Sequence, residues 1–241
     1  MILKHNSLVK FFSPLSKRIH SFTFPELMII LAIIGILISI LLPNLLQTVK
    51  KTKQSVCSSN LRMISVALHS YTNDNRYFLP QHNNWGSMLG KETSISVGKI
   101  PINERPLNSY LNNDTAIAVC PADNGDAYSA SNDQRSMKKV HEIWGSSYLP
   151  QWKIDNFATL HVTSDTKPPE LFSFELPEKK LFTADWIWHM NRNLDDSRSH
   201  WHESNARKCN TLFLDGRVNY FTFPNFLPRN TAPDPNRYGW Y

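Results

Sequence analysis

From Leu27 to Leu42 the chain is apolar apart from Gly35 and Ser39, and it carries no charge. With its flank, Phe22 to Leu42 (FTFPELMIILAIIGILISILL) would form a helix of roughly 31 Å at about 1.5 Å per residue. That is the thickness of a bilayer's hydrocarbon core, about 30 Å. Past Pro43 the pattern changes. Cys57, Leu61, Ile64, Leu68 and Tyr71 recur at spacings of 4, 3, 4 and 3, which marks one apolar face of an amphipathic helix. Lys50, Lys51, Lys53, Asn60 and Arg62 fall off that face. The spacing predicts one helix to about Tyr71, bent or loosened at Pro43, which lacks an N–H and crowds the preceding turn. Asn73-Asp74-Asn75 offers turn chemistry to end it.

The remainder reads as β-rich. Thr115–Val119 is a short apolar run, and Lys180–Trp188 (KLFTADWIW) is aromatic and β-prone. Thr211–Leu214 and Arg217–Phe223 flank Asp215-Gly216, which predicts a hairpin with a two-residue loop of the type I′ kind. Polar and apolar residues alternate from Arg217 to Phe223, as in a half-buried strand. Residues 86–114 and 124–170 are rich in Asn, Ser, Asp and Pro and predict long loops with short elements. The Pro- and Asn-rich end from Phe223 to Tyr241 predicts an irregular tail. No internal repeat is present. The fold class expected is α+β, a long N-terminal helix packed on a small antiparallel sheet domain with long loops.

Of 241 residues, a membrane helix and a leader leave about one domain's worth of chain. A hydrophobic content of 41 % can supply its core. The net charge of +6 suggests nucleic acid until it is located. Lys4, Lys10, Lys17 and Arg18 precede Phe22 with no acid among them. The rest holds 22 Lys and Arg against 20 Asp and Glu, a balance of +2. The basicity belongs to a leader that keeps the N-terminus cytoplasmic and sends residues after Leu42 outward. A nucleic-acid partner is not expected. Cys57, Cys120 and Cys209 allow one disulfide and one thiol in an exported domain. None shows the Cys-x-x-Cys spacing of a zinc ribbon or redox motif.

One acid interrupts the apolar stretch. Glu26 lies a turn inside its N-terminal edge, where a carboxylate costs about 2.5–3.5 kcal/mol on insertion scales. A secretory signal peptide would have a shorter apolar region and a small-x-small cleavage site after it, which Leu41-Leu42-Pro43-Asn44-Leu45 does not provide. A plain signal anchor fits the length and leaves Glu26 without a purpose. Ser21-Phe22-Thr23-Phe24-Pro25-Glu26, opening a long apolar helix after a basic leader, resembles the N-terminal cleavage and methylation motif of type IV prepilins and type II secretion pseudopilins. The resemblance implies cleavage by a prepilin peptidase between Ser21 and Phe22. It also implies that Glu26 neutralises the new Phe22 amine of a neighbouring subunit. The family usually has Gly where this chain has Ser21, and an aliphatic where it has Pro25, which a first helical turn tolerates.

A second resemblance covers the block from Cys57 to Asn75, with Tyr77-Phe78-Leu79-Pro80, and Val119-Cys120-Pro121-Ala122-Asp123. It is to pilin-like proteins with an H-X9-DG-type C-terminal region. Asn210-Thr-Leu-Phe-Leu-Asp215-Gly216-Arg-Val belongs to the same likeness, although twelve residues rather than nine separate His202 from Asp215. The resemblance implies a Cys57–Cys120 disulfide with Cys209 free, since both paired cysteines lie in recurring motifs.

Candidate chemistry beyond this is sparse. His189, His200, His202 and Glu203 with Asp185 could make a metal or hydrolase site, but hydrogen-bonded surface histidines in a loop are the plainer reading. No HExxH, nucleophile elbow or phosphate-binding glycine loop is present. Asp123-Asn124-Gly125-Asp126 offers oxygen ligands, so Asp123 and Asp126 are weak calcium candidates, without EF-hand spacing. A plain turn is favoured, and no cofactor is expected. Trp85, Trp144, Trp152, Trp186, Trp188, Trp201 and Trp240 could form a carbohydrate-stacking surface, although core packing is the commoner fate of Trp.

The sequence therefore predicts a leader over 1–21, a membrane and assembly helix over 22–42, its amphipathic continuation over 43–72, and an exported domain over 73–241. The function expected is a pilin-like structural subunit, not an enzyme, single-pass in a bacterial inner membrane. Its expected partners are prepilin peptidase and other pilin-like subunits of a secretion or pilus-like filament. The alternative is a membrane-anchored extracytoplasmic module that binds polysaccharide or another surface ligand.

Overall fold

The computed structural model describes residues 23–81, 86–94, 99–125, 139–150, 170–174, 176–188, 195–204 and 206–223. Helix α1 (Phe24–Asp74) takes up 51 of them. Thr23-Phe-Pro-Glu26 has the spacing of a capping box. The Glu26 carboxylate accepts the Thr23 backbone N–H at 2.8 Å and its hydroxyl at 2.7 Å. Pro25 falls among the first turn's N–H groups, which have no intrahelical acceptor, so its missing donor is not felt there. The helix runs on through Pro43, and Asn44 Nδ2 donates back to the Ile40 carbonyl at 3.2 Å. At the other end Arg76 and Tyr77 turn left-handed, with φ of 54° and 65°. The Tyr77 N–H reaches the Thr72 carbonyl and Asn75 Nδ2 the Tyr71 carbonyl. Carbonyls of the last turn are thereby satisfied.

The chain divides into two units, Met1–Leu46 and Gln47–Tyr241. In the first, every residue from Thr23 to Leu46 is exposed, and this stretch makes α1 the one helix among the described residues long and apolar enough to cross a membrane. In the second, α1 buries one face. Cys57, Leu61, Ile64 and Leu68 are fully buried, and Tyr71 packs on the core at its edge. Asn60, expected off this face, is buried as well, where its Nδ2 donates to the Val119 carbonyl at 2.9 Å. Lys50, Lys51, Lys53 and Arg62 are exposed.

The face packs on a four-stranded antiparallel sheet of order β1 (Tyr148–Pro150), β2 (Leu181–Asp185), β3 (Lys208–Phe213), β4 (Val218–Thr222). Tyr148 pairs with Asp185, Ala184 with Thr211, and Cys209 with Phe221. Central β2 is buried throughout, whereas edge β4 is half-exposed along its length rather than alternating. Pro150 stands in the other edge strand, where a missing donor costs least. The KLFTADWIW run splits, its second part forming a 3₁₀ turn at Trp186–Trp188. Thr115–Val119 is not a strand. Asp114 accepts from the Ala116 N–H and starts a 3₁₀ turn over Thr115–Ala118. A short helix, α2 (Val140–Trp144), and β1 are the short elements of a segment that composition marks as long loop with short elements.

The hairpin forms where predicted, with a different turn. Phe213 donates to the Arg217 carbonyl and Gly216 to the Phe213 carbonyl. Gly216 alone of the loop has positive φ, 87°. This is a three-residue loop, a type I turn followed by a left-handed glycine, because a type I′ turn needs positive φ at both central residues.

Candidate functional site

Polar side chains gather between α1 and the sheet, within the second unit. Asp185, the last residue of β2, is fully buried, and its Oδ2 accepts from the Asn210 backbone N–H at 2.8 Å and from Asn210 Nδ2 at 3.2 Å. The same oxygen is 3.1 Å from His202 Nε2, whose side chain is equally enclosed. That nitrogen also stands 3.4 Å from Cys120 Sγ and 3.4 Å from Asn210 Nδ2. Cys120 is bonded to Cys57 of α1 in a disulfide. Asn210 reaches on to the Gln54 carbonyl of the helix at 3.4 Å. Two polar atoms of this cluster, Asp185 Oδ1 and His202 Nδ1, are buried without a hydrogen-bond partner.

The surroundings are dry. Burial, helped by Asp185, pushes the free Cys209 thiol well above its usual pKa. Burial also raises the Tyr148 phenol, again with Asp185 adding to it. The Tyr220 ring meets His202 edge-on at 6.2 Å. Burial, then the Glu203 charge, raises its phenol. Neutral forms of all three are favoured, because burial takes Cys209 and Tyr148 out of water and half-covers Tyr220 beside Glu203.

His202 is thus a core residue, not the surface loop histidine expected. The signal that could have found it is the pair Asp185 and Asn210, which sit on adjacent apolar strands where a polar side chain needs a partner. Asp215 is not part of the cluster. It lies exposed in the hairpin, accepting from its own Arg217 at 3.0 Å. Glu203 is exposed and His200 half-buried, while His189 lies outside the described residues.

Asp123 forms a second buried node. Its Oδ1 accepts from the Gly125 and Val140 N–H groups at 3.0 Å each. Its Oδ2 accepts from the His141 N–H at 3.0 Å, His141 Nδ1 at 2.8 Å and Ser147 Oγ at 2.7 Å. Burial alone would raise its pKa. Hydrogen bonds from His141, Val140 and Ser147 outweigh it and hold the carboxyl below its usual value. Five protein donors occupy the oxygens that a calcium ion would require, and Asp126 lies outside the described residues. The Cys-Pro-x-Asp stretch here ties a disulfide to the start of α2. Arg105 is buried among the loops, donating to the Gly86, Leu89 and Lys91 carbonyls. Burial lowers its pKa to about 10, against a smaller opposing effect of Glu92.

Trp186, Trp188 and Trp201 are buried, and Trp144 stacks on Trp186 with ring centroids 5.4 Å apart. Trp201 Nε1 donates to the Gly125 carbonyl and Trp188 Nε1 to the Leu149 carbonyl. Trp186, Trp188 and Trp201 are core and offer no stacking face to a glycan, and Trp144 is half-buried against them; Trp85, Trp152 and Trp240 lie outside the described residues. Ser21 and Phe22 lie outside them too, so Glu26 is seen only with Thr23.

No protein-family model, curated protein or solved structure matches this chain.

Proposed function

We propose that the chain is a pilin-like, pseudopilin-type structural subunit. A prepilin peptidase cuts it between Ser21 and Phe22, and its N-terminal helix holds it in the bacterial inner membrane. The same helix assembles it into a type II secretion or type IV pilus-like filament, with the domain displayed outside. One observation carries this reading: α1 is a single helix that is apolar at nearly every position and exposed throughout Phe24–Leu46, then amphipathic with one buried face. A helix apolar all round is stable in water only when something covers it, and lipid or neighbouring α1 helices would serve.

Glu26 decides between assembly and simple anchoring. Its bond to Thr23 gives it a local role, so charge and cap must be separated. Glu26→Gln keeps an acceptor at the third helical position, which a capping box also uses, and removes the charge. Glu26→Leu removes both. If the carboxylate pairs with a neighbour's Phe22 amine, either change strands that amine at about 3–5 kcal/mol. Subunit crosslinking and sheared-filament yield then fall equally for the two variants at equal membrane levels. Wild-type yield from Glu26→Gln would refute the pairing. Mass spectrometry of the mature protein should find Phe22 at the N-terminus; an intact Met1 in a strain with the peptidase would refute processing.

A further inference from the structure

We propose that Cys57, Cys120, Asp185 and His202 form a Zn²⁺ site whenever the Cys57–Cys120 disulfide is reduced. One ligand atom from each of the four lies within 4.8 Å of the others. They converge from α1, from the segment after the 3₁₀ turn at Thr115–Ala118, from the end of β2 and from the loop before β3. Two thiolates, an imidazole and a carboxylate suit zinc, which takes sulfur, nitrogen and oxygen in a tetrahedron.

The spacing agrees with that geometry. Bonds of about 2.0–2.3 Å at tetrahedral angles put nitrogen about 3.3 Å from oxygen and about 3.6 Å from sulfur. His202 Nε2 is 3.1 Å from Asp185 Oδ2 and 3.4 Å from Cys120 Sγ. The two sulfurs are the exception, since they are covalently joined and would stand about 3.8 Å apart on zinc. Cleaving their bond frees both side chains to separate within the same pocket.

Two further features favour a metal over a hydrolytic relay. A relay needs the two imidazole nitrogens to face different partners, one the nucleophile and one the orienting acid. Here the same Nε2 faces both the carboxylate and the sulfur, which is convergence on a point. The carboxylate is also incompletely satisfied as it stands, with Asp185 Oδ1 buried and unpartnered, and a buried polar orphan of this kind is commonly accounted for by an ion or water.

The chemistry balances with an external dithiol as reductant. It gives two electrons and two protons to the disulfide and leaves as its own disulfide, and Cys57 and Cys120 become thiols. Zn²⁺ then displaces both thiol protons, with any proton on Nε2, to solvent. It binds two thiolates, neutral imidazole and carboxylate. Disulfide and zinc are therefore mutually exclusive states of the same two sulfurs.

The test uses the full chain in detergent, with Co²⁺ as the spectroscopic stand-in for Zn²⁺. Reduced protein should take one Co²⁺ per chain with thiolate-to-cobalt charge-transfer absorption, abolished by Zn²⁺, and oxidised protein should take none. Asp185→Asn and His202→Gln should each weaken binding by roughly tenfold or more, while Cys209→Ala should not change it. If reduction unfolds the domain, Zn²⁺ should restore its near-UV circular dichroism. A reduced, folded chain without the charge-transfer band overturns the proposal. So does wild-type affinity in either ligand variant, binding by the oxidised form, or an unfolded reduced chain that Zn²⁺ leaves unfolded.

Discussion

Two stretches of one helix obey different rules. From Phe24 to Leu46, α1 is apolar on nearly every position and exposed at all of them. From Gln47 to Asp74 it confines Cys57, Leu61, Ile64 and Leu68 to one buried face and leaves Lys50, Lys51 and Lys53 to solvent. Helical hydrogen bonding is local and indifferent to this change, so the backbone runs through. Burial is not local. The second stretch owes its place to packing in its own unit, whereas nothing among the described residues covers the first. Mutations should therefore act on different observables in the two.

The largest expected contrast comes from placing one charge in each stretch. Leu61→Asp puts an unpaired carboxylate in the core, so the folded domain should lose more than about 4 kcal/mol. Leu37→Asp should leave the domain's melting unchanged. It should instead reduce retention in carbonate-washed membranes, at an insertion cost of about 2.5–3.5 kcal/mol. A wild-type melting curve for Leu61→Asp, or a destabilised domain for Leu37→Asp, would break the division.

Next in size is Asp123→Ala, which strands five donors in the packed unit and should cost about 3 kcal/mol by urea denaturation. The pH dependence follows from the lowered carboxyl pKa. The stabilisation is fully present above the unfolded value, about 3.9, and is lost as pH falls through the folded pKa below it. Acid titration of wild type should show that loss, and the variant should lack it. Membrane retention should not change in either.

Gly216→Ala should cost about 1–2 kcal/mol. Its φ of 87° disfavours a side chain, and a Cβ there would lie 2.9 Å from Ser65 Oγ of α1. Thermal melting measures this, and an unshifted midpoint would show that the hairpin is not held against the helix as described. The smallest effect belongs to Thr23→Ala, which removes one donor to Glu26 and should cost about 1 kcal/mol. It should speed amide exchange in the first turn of α1 and leave the domain's melting point unmoved.

How much of this could be read beforehand depends on how local each cause is. Thr23-x-x-Glu26 already spells a helix cap, and the structure shows the Glu26 carboxylate bonded to Thr23. Asp215-Gly216 located the hairpin correctly, because a glycine able to take positive φ marks a turn in any context. It did not specify the turn, because the pairing of Phe213 with Arg217 sets the loop length. Thr115–Val119 has the apolar content of a strand, but Asp114 caps a 3₁₀ turn there, a competition that apolar content alone does not reveal. Trp186, Trp188 and Trp201 pack in the core, the commoner fate of Trp, whereas His202 reads as a surface loop residue because its enclosure depends on partners far along the chain.

Sequence by itself determined what period and composition can encode. These are the long helix, the change from all-round to one-sided apolarity near Pro43, the hairpin at Gly216 and the α+β class. Each follows from spacings of a few residues, which the backbone reads through its own hydrogen bonds and sterics. Only the tertiary structure decided that Asp185 and Asn210 on adjacent strands enclose His202 against the Cys57–Cys120 bond, and that Asp123 is spent on α2 and Ser147. These groups come from positions up to 156 residues apart, as Gln54 and Asn210 are. No local pattern records such neighbours, because buried polar groups are paired by whichever donors the packed core brings within hydrogen-bond reach.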